Sequence, residues 1–100
     1  MGLLRDDYFL LVDEIAGKLG ISSDSAVLAK KILRDAREKR ITGGRRPVTL
    51  AASALYVACR LRGEWMTQRE LAVAVDCSEI AIRHAYLLLK DRLGLDFSPW

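Results

Sequence analysis

The run Pro47-Val48-Thr49-Leu50-Ala51-Ala52-Ser53-Ala54-Leu55-Tyr56-Val57-Ala58-Cys59 holds 13 residues without one charge. It is too short to cross a bilayer, which takes ~20 apolar residues. Proline suits the first position of a helix, and a helix apolar on every side must be buried on every side. The run therefore predicts a central helical post. Ala51, Ala52, Ser53, Ala54 and Ala58 are small enough for neighbouring helices to approach closely. Arg60 and Arg62 mark its emergence into water, and Gly63 stops it.

Outward from that post, every apolar pattern follows the helical period and no strand alternation persists. A first helix is expected over 6–19, with Phe9, Val12, Ile15, Ala16 and Leu19 on one face and Gly20 as its stop. Ser22 or Ser23 opens a second helix, which buries Ala26, Ala29, Ile32, Leu33 and Ala36 and closes near Arg40. Thr42-Gly43-Gly44-Arg45-Arg46 is a glycine-hinged basic connection. Beyond the post, Thr67-Gln68-Arg69-Glu70 has the form of a capping box, opening a fourth helix over 68–75. Asp76-Cys77-Ser78 breaks it, and a fifth helix is expected over 79–93, with Gly94 at its end. The expected architecture is all-α: one five-helix bundle over residues 6–94, after an unstructured or cloning-derived start (1–5) and before a loosely held tail (95–100).

Composition limits the function classes. The chain has 100 residues, 51% of them hydrophobic and 29% charged, as one globular domain should. Arg5, Asp6 and Asp7 interrupt any apolar secretory start. Cys59 and Cys77 form no Cys-x-x-Cys pair, and with a single histidine they cannot furnish a four-ligand zinc site. Both read as reduced core or near-core residues of a cytosolic protein. Trp65, Trp100 and Tyr56 read as packing residues. No paired-carboxylate motif, phosphate loop or histidine–nucleophile pair is present, so the sequence argues against an enzyme and implies no cofactor.

Charge is unevenly spread. Residues 30–62 carry ten basic side chains (Lys30, Lys31, Arg34, Arg37, Lys39, Arg40, Arg45, Arg46, Arg60, Arg62) against Asp35 and Glu38, net +8, while the whole chain is +3. Such a block suits a polyanion. Charge alone fits a solvated helix face equally well.

The last two helices fit a helix-turn-helix. Ala72 supplies the small residue at the crossing. Asp76, four positions on, must tolerate a left-handed backbone. Leu71, Val75, Cys77, Ile82 and Ala85 lock the pair together. On the fifth helix, Ile82, Ala85, Tyr86, Leu89 and Leu93 share the core stripe, and Ile80, Arg83, His84, Leu87 and Asp91 lie opposite. In a recognition helix that outer face meets base edges. Arg83 is a natural bidentate donor to guanine, and Ile80 suits a thymine methyl or the groove wall. Ser78 and the helix start suit a phosphate, and Gln68 and Arg69 suit the backbone or an adjacent base. His84 reads as solvent- or phosphate-facing. Glu79 is a counter-argument, since it repels phosphate unless it accepts from a cytosine amine. Outside this context Arg83 would be an ordinary surface arginine, and exposed Ile80 and Leu87 could equally mark a protein-binding groove.

The stretch from Gly44-Arg45-Arg46-Pro47 through Ala58-Cys59 resembles the signature of the cyclin-like repeats of transcription factor IIB and its archaeal counterpart. Thr67-Gln68-Arg69-Glu70-Leu71-Ala72 and Ile82-Arg83-x-x-Tyr86 resemble the second repeat more than the first. The resemblance covers residues 6–95. It implies a five-helix cyclin-like bundle whose terminal helix-turn-helix enters the major groove upstream of the TATA element. It further implies promoter double-stranded DNA, the TATA-binding protein and RNA polymerase as partners, the last through parts absent from this chain. Carried over, Ser78, Ile80 and Arg83 fall on the base-reading positions, with Gln68 and Arg69 nearby; His84, Arg45 and Arg46 complete the expected contact set. The expected protein is a monomer without a membrane anchor, cytoplasmic and nucleoid-associated in an archaeon or nuclear in a eukaryote. The family has glycine or a small residue near the Asp76-Cys77 turn, where this chain departs. Neither a zinc ribbon nor a first repeat is present, so the chain reads as a carboxy-terminal domain or a reduced paralogue that does not initiate alone. The other reading is a cyclin-like protein-docking module without sequence-specific DNA binding.

Overall fold

The computed structural model describes residues 7–95, and these form five helices: α1 (Tyr8–Leu19), α2 (Ser23–Glu38), α3 (Pro47–Arg62), α4 (Gln68–Val75) and α5 (Glu79–Arg92). The expected start (1–5), residues 96–100 of the expected tail and Trp100 lie outside the described residues. The all-α, five-helix expectation is met. α3 is the post, packing against each of the other four helices. Every residue from 49 to 59 is buried. Fully burying a leucine such as Leu50 or Leu55 contributes ~1.5–3 kcal/mol.

Helix ends follow local chemistry. The Asp7 carboxylate accepts from the amides of Phe9 and Leu10 at 3.0 and 3.4 Å, so α1 starts at Tyr8 rather than at 6. Ser22 caps α2, its hydroxyl accepting from the Ser25 amide at 3.2 Å. α2 ends at Glu38, and the chain turns through Arg40 at φ +58°. A left-handed arginine carries a steric cost of ~1–2 kcal/mol and is not signalled by residue type. Leu95 is half-buried against the core, its amide donating to the Lys90 carbonyl at 2.9 Å.

One sequence expectation is corrected. Trp65 is not a core residue: it is 62% exposed, while Met66 beside it is only 6% exposed. The cause lies in the non-helical segment 64–67, which ends in extended backbone at Thr67. In that segment Met66 takes the inward place and Trp65 the outward one.

That segment is anchored by Glu64. Its carboxylate accepts from the Ser22 amide at 2.9 Å, from the Ser22 hydroxyl at 2.7 Å and from the Ser25 hydroxyl. Arg62 Nε donates to Ser25 Oγ at 3.1 Å. The bond from Ser25 foremost, then those from Ser22 and the Arg62 charge, hold the Glu64 carboxyl below its ordinary value, against the opposing effect of burial. A carboxyl depressed in the folded state stabilises fully above its unfolded pKa, and the contribution is lost as pH falls through the native one. Thermal melts of parent and Glu64→Gln at neutral and acid pH are expected to show a smaller acid-induced drop in the variant. An identical drop in both would show that Glu64 does not link folding to protons.

Candidate nucleic-acid interface

The site is built by α4, the turn 76–78 and α5. α4 begins on a complete capping box: Thr67 Oγ1 accepts from the Glu70 amide at 3.0 Å, and Glu70 Oε1 accepts from the Thr67 amide at 3.2 Å. At its other end Asp76 adopts φ +53°, ψ +53°, the left-handed conformation the motif requires. The Cys77 amide donates back to the Ala72 carbonyl at 3.1 Å. Ser78 then caps α5, its hydroxyl accepting from the Ala81 amide at 3.0 Å. That hydroxyl retains a proton to donate outward.

α5 is seated firmly on α3. Ile82, Ala85, Tyr86 and Leu89 face inward and are buried. Ser53 Oγ lies 2.6 Å from the Thr49 carbonyl and 3.3 Å from the Ile82 carbonyl, so its one proton bridges the two helices with the shorter arm dominant. Thr49 Oγ1 and Cys77 Sγ are 3.3 Å apart, which fixes the turn against the first coils of α3. The Tyr56 and Tyr86 rings meet edge to face, centroids 4.7 Å apart. Burial foremost, and then Tyr56, push the Tyr86 phenol above its ordinary value, while Arg83, a hydrogen bond with Gln68 and Arg60 pull it down. Burial likewise raises the Cys59 thiol to about 11, so it stays protonated and inert.

With its inner stripe sealed, α5 turns Ile80, Arg83, His84, Leu87 and Asp91 to solvent, the division read from the helical period. Ile80 is 66% exposed, a large apolar side chain beside an arginine on an open helix. Arg69 is exposed at the second position of α4. Gln68 is half-buried beneath the surface that Arg69 presents, near enough to Tyr86 to draw its phenol down. Arg46 is exposed at the N-cap of α3, with Arg45 half-buried beside it. The Thr49–Cys77 contact brings that end of α3 to the turn, so the basic connection flanks the helix-turn-helix.

Sequence reasoning missed Ser53 and Thr49 as the supports of this face. One signal existed: a hydroxyl inside a wholly apolar helix needs a buried partner. Among the described residues no group of three or more His, Cys, Asp or Glu could hold a metal ion, and no helix is long and apolar enough to cross a membrane.

A family model described as "Transcription factor TFIIB repeat" matches residues 6–92. The chain is 41% identical over 85 residues to transcription initiation factor IIB 2 of Thermococcus kodakarensis, covering 85% of this chain and 28% of that protein. It is 40% identical over 84 residues to transcription initiation factor IIB of Methanopyrus kandleri, covering 84% and 27%. Against transcription initiation factor IIB 2 of Haloferax volcanii the identity is 43% over 75 residues, covering 75% and 23%. The chain spans about a quarter of the length of these curated relatives.

Proposed function

This chain belongs to the transcription factor TFIIB repeat family, and from that premise we propose that it serves transcription initiation as a module that reads double-stranded promoter DNA. The observation that carries the reading is the outer face of α5. Arg83 and Ile80 stand exposed on a helix whose opposite side is sealed to α3. Arg83 is assigned to a guanine and Ile80 to a thymine methyl or the groove wall. Ser78, Arg69, Arg45, Arg46 and His84 hold the phosphate backbone and set the register. The sequence element lies upstream of TATA, and the domain joins the TATA-binding protein already on the promoter, as a monomer. RNA polymerase is a further partner in that complex. The module works where promoters are, at the nucleoid of an archaeal cell if its source matches that of its relatives. It supplies recognition and no chemistry.

A second reading has one observation in its favour. Val73, Ile80 and Leu87 are large apolar side chains exposed on α4 and α5, which suits a cyclin-like module that docks a protein. Salt separates the two. Three phosphate contacts, from Arg45, Arg46 and Arg69, give a slope of about −3 in log affinity against log salt. Titrating a fluorescent promoter duplex carrying the TATA-binding protein at several salt concentrations measures it. Salt-insensitive binding with no preference for promoter sequence, together with capture of a protein that Ile80→Asp abolishes, would move the assignment to the docking module.

A further inference from the structure

Glu79 suits the N-terminus of α5, where the helix dipole favours an acidic side chain, but not a surface that meets a polyanion. It is exposed at the first position of α5, on a surface that presents Arg69, Arg83 and His84. The described ion pairs join Lys30 to Asp13, Lys31 to Asp35 and Arg62 to Asp24, and Glu79 takes part in none of them. It lines two clefts at once. One, of about 280 Å³, runs between it and Trp65, Gln68 and Arg69. The other, of about 450 Å³, runs between it and Arg69, Val73 and Asp76. Its carboxylate is therefore accessible from both sides of the helix start.

A carboxylate on a surface that meets a polyanion is repelled unless it finds a donor. The floor of the major groove offers two kinds, the exocyclic amines of cytosine and adenine. Adenine sets its amine beside N7, an acceptor that opposes the second carboxylate oxygen. Cytosine has a C–H beside its amine and no such conflict. Glu79 lies four residues, ~6 Å along the axis, before Arg83 and on the same face, a spacing that spans about one or two base-pair steps.

Resting on the reading of this chain as a duplex-binding module, we propose that Glu79 is a specificity-determining residue. It selects a cytosine, by accepting from that base's exocyclic amine, within about two base pairs of the guanine assigned to Arg83. The same carboxylate lowers affinity for duplexes lacking that cytosine, so it sharpens selection from both directions.

The test is selection from a duplex pool randomised upstream of TATA, using the full chain with the TATA-binding protein bound, followed by sequencing. The parent is expected to enrich cytosine at one position about tenfold, within about two base pairs of an enriched guanine. Glu79→Gln is expected to move that preference to adenine, because an amide matches both N6 and N7. Glu79→Ala is expected to abolish the preference and tighten binding to unselected duplexes. Glu79 is exposed, and unchanged melting of both variants would tie these shifts to the interface. If the parent and Arg83→Ala differ at the guanine but Glu79→Gln selects as the parent does, this inference is overturned and the DNA-reading function stands. If the parent enriches nothing, both fall together.

Discussion

Arg83→Ala is expected to remove ~1–3 kcal/mol of discrimination at a single guanine while leaving the fold unchanged. The side chain is exposed and the helix bearing it is held from the other side, by Ile82, Ala85, Tyr86 and Leu89. Truncating it therefore removes a contact to the partner and few to the protein. Arg45→Ala should behave differently. Its expected contact is a phosphate, so affinity should fall alike on all duplexes, and the salt slope should shrink by about one unit. Competition between a promoter duplex and variants changed at one base pair distinguishes the two. An Arg83→Ala protein that ranks those duplexes in the parent's order would remove the basis for base reading by α5.

The second large effect concerns the post. Leu55 is 0% exposed on α3, which packs against all four other helices. Leu55→Ala is expected to cost ~2–5 kcal/mol, the lost transfer energy plus the cavity left behind. Against a total of ~5–15 kcal/mol for a typical domain, that is a major share. DNA binding should weaken with it, since α5 takes its seat from α3. Urea denaturation followed by circular dichroism measures the loss. Leu87→Ala, on the exposed side of α5, is the control and should change stability by less than about 0.5 kcal/mol. Equal losses for the two leucines would contradict the buried position of Leu55.

Much of the site follows from chemistry confined to a few neighbouring residues. The threonine and glutamate three apart at 67 and 70 specify a helix start. Asp76, the small Ala72 four positions before it and Ser78 two after it specify the turn. The 3.6-residue period alone separates Ile82, Ala85, Tyr86 and Leu89 from Ile80, Arg83, His84 and Leu87, and the exposures follow that division. Trp65 shows where such reasoning stops. Nothing in its flanking residues says that Met66 takes the inward place, since that depends on how the segment 64–67 is anchored. The anchor is Glu64, bound to serines about forty positions earlier in the chain.

The amino-acid order by itself determined the five helices, their caps, the uncharged post and the outward position of Arg83, because each depends on interactions within about one helical turn. Only the tertiary structure decided what supports the outer face of α5: Ser53 bridging α3 to α5, and Thr49 against Cys77. Those contacts join residues 28 and 29 positions apart. A hydroxyl has no partner at that distance until the bundle has closed around α3.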